Sequence, residues 1–285
     1  MTGQIKSALA RAANALAHAG IDSARLDARL LLAHILEVDP VRLISGSEIV
    51  LGEGQADRFE ALVARRLNRE PVSRIVGYRE FWSMSFRLAP SVLDPRPDSE
   101  TLVAAILDAV PDRNSPLRVL DLGTGSGCLV LALLSDLPAA QGVGVDIDPA
   151  ALDVARDNAR SLGLSERVKF VHGDWGAGLR PGFDVIVSNP PYIAAGDIAG
   201  LDPEVSRWDP RLALNGGDDG LDCIRALAPR IVELLAPSGM AVIEIGAGQE
   251  QSVGSVLADA GLTVRKNLRD IGGLVRCVFA TVGRQ

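Results

Sequence analysis

The stretch Arg118-Val119-Leu120-Asp121-Leu122-Gly123-Thr124-Gly125-Ser126-Gly127 decides the fold. Its first half is a short apolar run, and its second half places glycine at alternate positions before the apolar segment 128–136 begins. A buried strand turning tightly into a helix has this pattern. Downstream the rhythm repeats, with further strands expected near 142–146, 168–172, 183–188, 240–246, 263–268 and 275–282. Helices fit 128–136, 149–162, 221–235 and 249–260 between them. Alternation of this kind predicts an α/β fold, a doubly wound, mostly parallel seven-stranded sheet of Rossmann-like type. The last two strands are joined through Asp270-Ile271-Gly272-Gly273, too short for a crossover helix, so they must pair antiparallel.

Upstream the period is helical. Helices are expected at 4–19, with Gly20 as the stop, after Asp22-Ser23, and over 55–69. The inward sets are Leu26, Leu30, Leu31 and Ile35 on the second, and Phe59, Leu62, Val63 and Leu67 on the third. Arg58, Arg65, Arg66 and Arg69 mark the polar side of the third helix. From 75 to 88 the period shifts to two, which predicts a bridging β-hairpin. The expected organisation is therefore a small all-helical domain over 1–73, a hairpin linker over 74–90 and the α/β domain over 91–285. Three prolines at 90–97 preclude a helix there, and Ser99 or Asp98 is expected to cap the helix after them. Arg96 and Glu100 on this rigid loop are candidates to line a site.

At 285 residues with 47% hydrophobic content, the chain can bury a large core. No apolar run is long enough to span a bilayer and no signal peptide opens the chain, so a cytoplasmic protein is expected, with no membrane partner. Cys128, Cys223 and Cys277 are scattered, as are His18, His34 and His172, which fits reduced thiols and predicts no metal site. The net charge of −7 argues against nucleic acid as a partner; residues 1–87 are nonetheless mildly basic, with 12 Lys/Arg against 10 Asp/Glu.

Two constellations carry chemistry. In the glycine loop, a pyrophosphate-binding G-x-G-x-x-G would need glycine at position 128, where Cys128 stands. The shorter loop, preceded by Asp121, suits a cofactor that lacks pyrophosphate but carries an ammonium and a carboxylate, as the methionine part of S-adenosylmethionine does. Asp146, ending the second strand, can accept both hydroxyls of a ribose, and Trp175 after the third strand is placed to pack on an adenine. The second constellation is Asn189-Pro190-Pro191-Tyr192 at the end of the fourth strand. Its prolines stop strand pairing and keep Asn189 out of the helical region. The Asn189 carboxamide and the Pro190 carbonyl are then two acceptors beside the ring of Tyr192, a fork suited to a planar NH2 group. Holding both hydrogens orients the nitrogen.

These motifs resemble the class I S-adenosylmethionine-dependent methyltransferases, and more closely the HemK-type family that methylates glutamine N(5) in peptide chain release factors. Gly20-Ile21-Asp22-Ser23-Ala24-Arg25-Leu26-Asp27-Ala28, Pro95-Arg96-Pro97-Asp98-Ser99-Glu100 and Pro210-Arg211-Leu212-Ala213-Leu214-Asn215-Gly216-Gly217 are similar to that family's other signatures. The resemblance implies S-adenosylmethionine held by Asp121, Leu122, Gly123, Thr124, Gly125, Asp146, Trp175 and Asn189. It implies a glutamine from the Gly-Gly-Gln motif of class I release factors held by Asn189, Pro190, Pro191 and Tyr192, with Asn189, Pro190 and Tyr192 catalytic. The helical domain would then read the protein substrate. Departures stand at Ser91, where the family often has glycine, Asp94, often β-branched, and Asn215, often aspartate. The tetrapeptide is shared with adenine-N6 and guanine-N2 nucleic-acid methyltransferases, so a DNA or RNA enzyme is the alternative; a cofactor-binding protein without catalysis is a third reading. His172 stays open as a group near the site.

Overall fold

The computed structural model describes residues 2–44 and 51–283, and the chain divides into two compact units. The first comprises Met1–Tyr78 together with Pro203–Trp208. It holds α1 (Thr2–His18), α2 (Ala24–Leu36), α3 (Gln55–Leu67), α4 (Val72–Val76) and, from the later segment, α8 (Pro203–Ser206). Gly20 ends α1 in the left-handed region, at φ 73°. The core of this unit gathers Leu16, Leu31, Leu32, Phe59 and Val63.

Two helical faces are rotated from the expected ones. On α2 the buried line is Ala24, Asp27, Ala28, Leu31, Leu32 and Ile35, which leaves Leu26 51% exposed. On α3 Leu67 is exposed and Arg66 is buried in its place. The reason is electrostatic. Arg66 Nε donates to Asp27 Oδ2 at 2.7 Å and Nη1 to Glu204 Oε1 at 2.8 Å, and Arg69 Nε adds a contact to Glu204 at 3.0 Å. Arg65 is likewise engaged, with Glu70. The expected arginine face of α3 is thus largely spent inside the unit. Burying the guanidinium is tolerated because both charged ends are paired.

The second unit comprises Arg79–Asp202 and Asp209–Gln285. From Arg79 on it takes in the hairpin of β1 (Tyr78–Phe81) and β2 (Met84–Arg87), a two-stranded sheet of its own. Trp82 and Ser83 at its tip take positive φ, and Phe81 and Phe86 meet edge-to-face inside the core. Then follow α5 (Glu100–Ala109), β3 (Arg118–Leu122), α6 (Cys128–Asp136), β4 (Gln141–Asp146), α7 (Pro149–Ser161), β5 (Val168–His172) and β6 (Phe183–Ser188). The unit closes with α9 (Asp222–Leu234), β7 (Leu235–Glu244), α10 (Glu250–Asp259), β8 (Leu262–Arg269) and β9 (Val275–Val282).

The large sheet has the order β5-β4-β3-β6-β7-β9-β8, and β9 pairs antiparallel with both β7 and β8. This is the seven-stranded, mostly parallel sheet expected from the sequence. Alternation along the strands splits the core over two faces: Val119, Val185 and Val242 point to one side, Leu120, Ile186 and Ile243 to the other. Strand order reverses between β4 and β6, on either side of β3. The crevice beyond the carboxyl ends of these strands is where such sheets bind ligands.

Candidate functional site

The loop after β3 is tied down by backbone before any side chain acts. Gly123 N and Thr124 N both donate to Val145 O at 2.9 Å. Gly123, Gly125 and Gly127 take φ of 74°, 53° and 81°, a region that only glycine enters at low cost. A Cβ on Gly127 would stand 3.2 Å from both Ala155 and Leu131, so this glycine also lets α7 and α6 close on the turn. At Gly125, by contrast, a Cβ would meet nothing within 4 Å, and that backbone faces open space.

Carboxylates fix the loop from both sides. Asp121 is fully buried; its Oδ2 accepts from Thr124 Oγ1 at 2.7 Å, while Oδ1 has no hydrogen-bond partner among the described residues. Burial pushes its carboxyl up to about 7, with the charge of Asp146 adding to the effect. Asp146 Oδ2 accepts from Gly125 N at 2.8 Å and Oδ1 from Asp148 N at 3.0 Å. Burial also holds Asp146 above the ordinary carboxylate range. Asn158 of α7 completes the frame, with Nδ2 donating to Ser126 O and Oδ1 accepting from Arg87 N of the hairpin.

A cavity of about 260 Å³ lies against this loop. Gly123, Thr124, Gly125, Asp146, Trp175, Asn189 and Pro191 line it; Asp121 and Leu122 lie buried beneath. Pro190 and Tyr192 do not form its wall. The Trp175 ring lies 3.5 Å from where a Gly123 Cβ would stand, which closes one side. His172 is also off the wall, with Nε2 3.0 Å from Ile147 O.

Asn189 Nδ2 donates to Ser99 Oγ at 3.1 Å. Ser99 donates to Glu244 Oε2 at 2.5 Å, and Tyr192 Oη donates to Glu244 Oε1 at 3.2 Å. The Tyr192 carbonyl accepts from Gln249 Nε2 at 3.0 Å. The expected helix-capping role of Ser99 is not realised, because its hydroxyl is committed to Glu244. Arg96 does reach the cavity and pairs with the buried Asp209, whereas Glu100 instead accepts from Trp82 N of the hairpin at 2.8 Å.

Sequence reading missed Glu244, Asp209, Ile147 and Cys223, the last two on the cavity wall. Glu244 left a signal, an acid inside the apolar run Met240–Ile245. The departures are accommodated: Ser91 lines the cavity, Asp94 faces Arg79 Nε at 3.7 Å, and Asn215 Oδ1 accepts from Gly217 N at 3.1 Å.

Asp146, Asp148 and Asp174 line the cavity with Arg96 as the facing cation, so its field favours a positively charged guest. The donor set, open glycine backbone beside the Asp146 carboxylate and above the unpartnered Asp121 Oδ1, fits S-adenosylmethionine, which carries a sulfonium and an ammonium. Among the described residues, no cluster of His, Cys, Asp and Glu is placed to hold a metal ion, and no helix is long and apolar enough to cross a membrane.

Comparison with known proteins gives a consistent result. Residues 7–77 match the PrmC N-terminal domain family and residues 113–244 match a methyltransferase domain family. The release factor glutamine methyltransferase of Rhodospirillum rubrum is 48% identical over 95% of this chain and 83% of its own. That of Bradyrhizobium diazoefficiens is 45% identical over 98% and 95%. Among solved structures, the ribosomal protein L11 methylase of Lactobacillus delbrueckii subsp. bulgaricus shares the fold, with a TM-score of 0.51 and 20% identity over 70% of this chain and 86% of its own.

Proposed function

The chain belongs to the release factor glutamine methyltransferase family, and on that premise we propose its reaction. It transfers a methyl group from S-adenosylmethionine to the side-chain amide nitrogen of the glutamine in the Gly-Gly-Gln motif of class I peptide chain release factors. One observation carries the reading. Asn189 lines the same cavity as the glycine loop, and its amide NH2 is turned back onto Ser99, which leaves Oδ1 for a donor.

When bound, S-adenosylmethionine supplies an electrophilic methyl on a positive sulfur. Asp121, Leu122, Gly123, Thr124 and Gly125 would cradle its methionine end, Asp146 its ribose and Trp175 its adenine, with Asn189 at the junction with the acceptor. Asn189 Oδ1 and the Pro190 carbonyl would accept the two amide hydrogens of the glutamine, and Pro191 and Tyr192 would flank its plane, the glutamine entering beside the cofactor cavity, whose wall Pro190 and Tyr192 do not form. Orientation is the main contribution such a site makes. As the nitrogen gains the methyl, the sulfur–methyl bond breaks to leave a neutral thioether and one of the two amide hydrogens departs to solvent as a proton; the residues need supply no strong base, and His172 is occupied by Ile147. Residues 1–73 are assigned to recognition of the release factor.

The test is transfer from labelled cofactor to a whole release factor, to its Gln→Glu variant and to adenine-bearing oligonucleotides, with the methylated atom mapped by mass spectrometry. Label is expected on the glutamine amide alone. A glutamate brings no donors to the fork, and sites built around a donor reject such analogues by factors on the order of 10⁴. Efficient labelling of DNA or RNA with the release factor untouched would replace this reading with the nucleic-acid one.

A further inference from the structure

The fork works only if the oxygen of the Asn189 carboxamide, not its nitrogen, meets the acceptor. The two ends are nearly equal in size and opposite in polarity. Something must choose between them. Asn189 Nδ2 donates to Ser99 Oγ, and a serine hydroxyl has one proton to give. That proton goes to Glu244 Oε2, while Oε1 of the same carboxylate accepts from Tyr192 Oη. Glu244 is 1% exposed, lies at the end of β7 and is not on the cavity wall. An ionised carboxylate can only accept. Ser99 is therefore held as donor to Glu244 and acceptor from Asn189, and the relay has one direction.

We propose that Glu244 is the positioning residue that sets this direction, so that Asn189 presents Oδ1 to the acceptor amide while Tyr192 is held from the other carboxylate oxygen. The inference rests on the reading of Asn189–Tyr192 as an amide site. Reversing the relay needs only a donor at position 244. Ser99 could then accept from it and donate onward, and the carboxamide would turn its NH2 toward the cavity, donor against donor.

The charged and titratable groups that face Glu244 are Asp98, Tyr192, Arg276, Cys277 and Cys128. Burial pushes Glu244 up to about 7; Ser99, Tyr192 and Arg276 pull it down, and Asp98 pushes it up. As the pH falls through that value the carboxylate gains a proton, and with it the ability to donate to Ser99. Loss of turnover on the acid side is the expected signature.

The experiment uses the full chain with a whole release factor at saturating cofactor, which separates turnover from cofactor binding. Glu244→Gln is isosteric and supplies the donor. Its kcat is expected to fall on the order of ten- to hundredfold, the scale of a misoriented catalytic contact, with cofactor Kd changed less than about twofold. The acid limb of kcat, centred near pH 7 in the wild type, should vanish in the variant. Ser99→Ala breaks the same relay without touching the acid, so its loss and that of Glu244→Gln should not multiply in the double variant. Should Glu244→Gln fold poorly, Ser99→Ala and the wild-type pH profile still decide. If the wild type leaves the glutamine unmethylated, the amide-site reading has failed. If the wild type methylates it while Glu244→Gln keeps wild-type kcat and acid limb, or the two losses multiply in full, the relay is overturned.

Discussion

Asp146 is placed so that one carboxylate can serve both scaffold and guest. Its two oxygens already accept backbone N–H groups from Gly125 and Asp148, each leaving a further lone pair for a ribose hydroxyl. Asp146→Ala is expected to weaken S-adenosylmethionine binding by about 1–3 kcal/mol, the scale of charge-assisted hydrogen bonds, in a protein that still folds. Calorimetry on the folded variant checks this, and an unchanged Kd would remove Asp146 from the cofactor set. Asp121 beneath it gives a pH dependence. Burial holds its carboxyl at about 7, and a cationic guest favours the ionised form, so binding should expel protons near neutrality. Cofactor affinity should therefore rise between pH 6 and 8; titration in buffers of different ionisation enthalpy counts the protons. Asn189→Ala belongs to the other half of the cavity. Turnover should fall on the order of a hundredfold with cofactor affinity much less affected, and a near wild-type rate would exclude the fork.

At the scale of elements, the β4 strand is built to lie close under the glycine loop. A Cβ on Gly144 would stand 2.7 Å from the Phe170 ring and 2.8 Å from Thr124 Oγ1, the hydroxyl that holds Asp121. Gly144→Ala is expected to cost about 1–3 kcal/mol by overpacking and to weaken cofactor binding as Thr124 shifts, read from the denaturant midpoint and from Kd. The glycine turn, the strand ends and the proline pair were legible in the sequence because their meaning is local: φ, hydrogen-bond donors and strand period belong to the residues themselves. Ser99, Glu244 and Asp209 were not, because their partners lie 52 to 145 positions away and only pairing in space gives them a role. Helix faces failed for a related reason. Leu67 lost its buried place to Arg66 because two carboxylates, Asp27 and Glu204, make the arginine acceptable inside. Periodicity counts apolar residues and cannot see such pairing.

For the whole molecule, site chemistry and stability oppose each other. Asp121 and Glu244 are both raised by burial to about 7 from 3.8 and 4.5. A raised carboxyl contributes stability that is fully present below its unfolded value and is lost as pH rises through the folded one. The melting temperature without cofactor should accordingly fall between about pH 4 and 7, while turnover rises through the upper end of that window; a flat or rising melting curve would show that neither group is held neutral. The division into units supplies a second test. Phe81 and Phe86 belong to the core of the second unit and are 1% and 0% exposed, so that unit must include the hairpin from Arg79 onward. A chain starting at Arg79 is expected to unfold cooperatively and bind S-adenosylmethionine within a few-fold of the whole protein. A chain starting at Pro90 loses both phenylalanines, at about 3–5 kcal/mol each, and should not fold stably. In the longer version Glu204 has lost Arg66 and Arg69, so proteolysis should cut first within Pro203–Trp208. If residues 1–73 read the release factor, this version should also fail to methylate the whole substrate while retaining its cofactor. Full activity on the release factor from the Arg79 start would remove the helical unit from recognition.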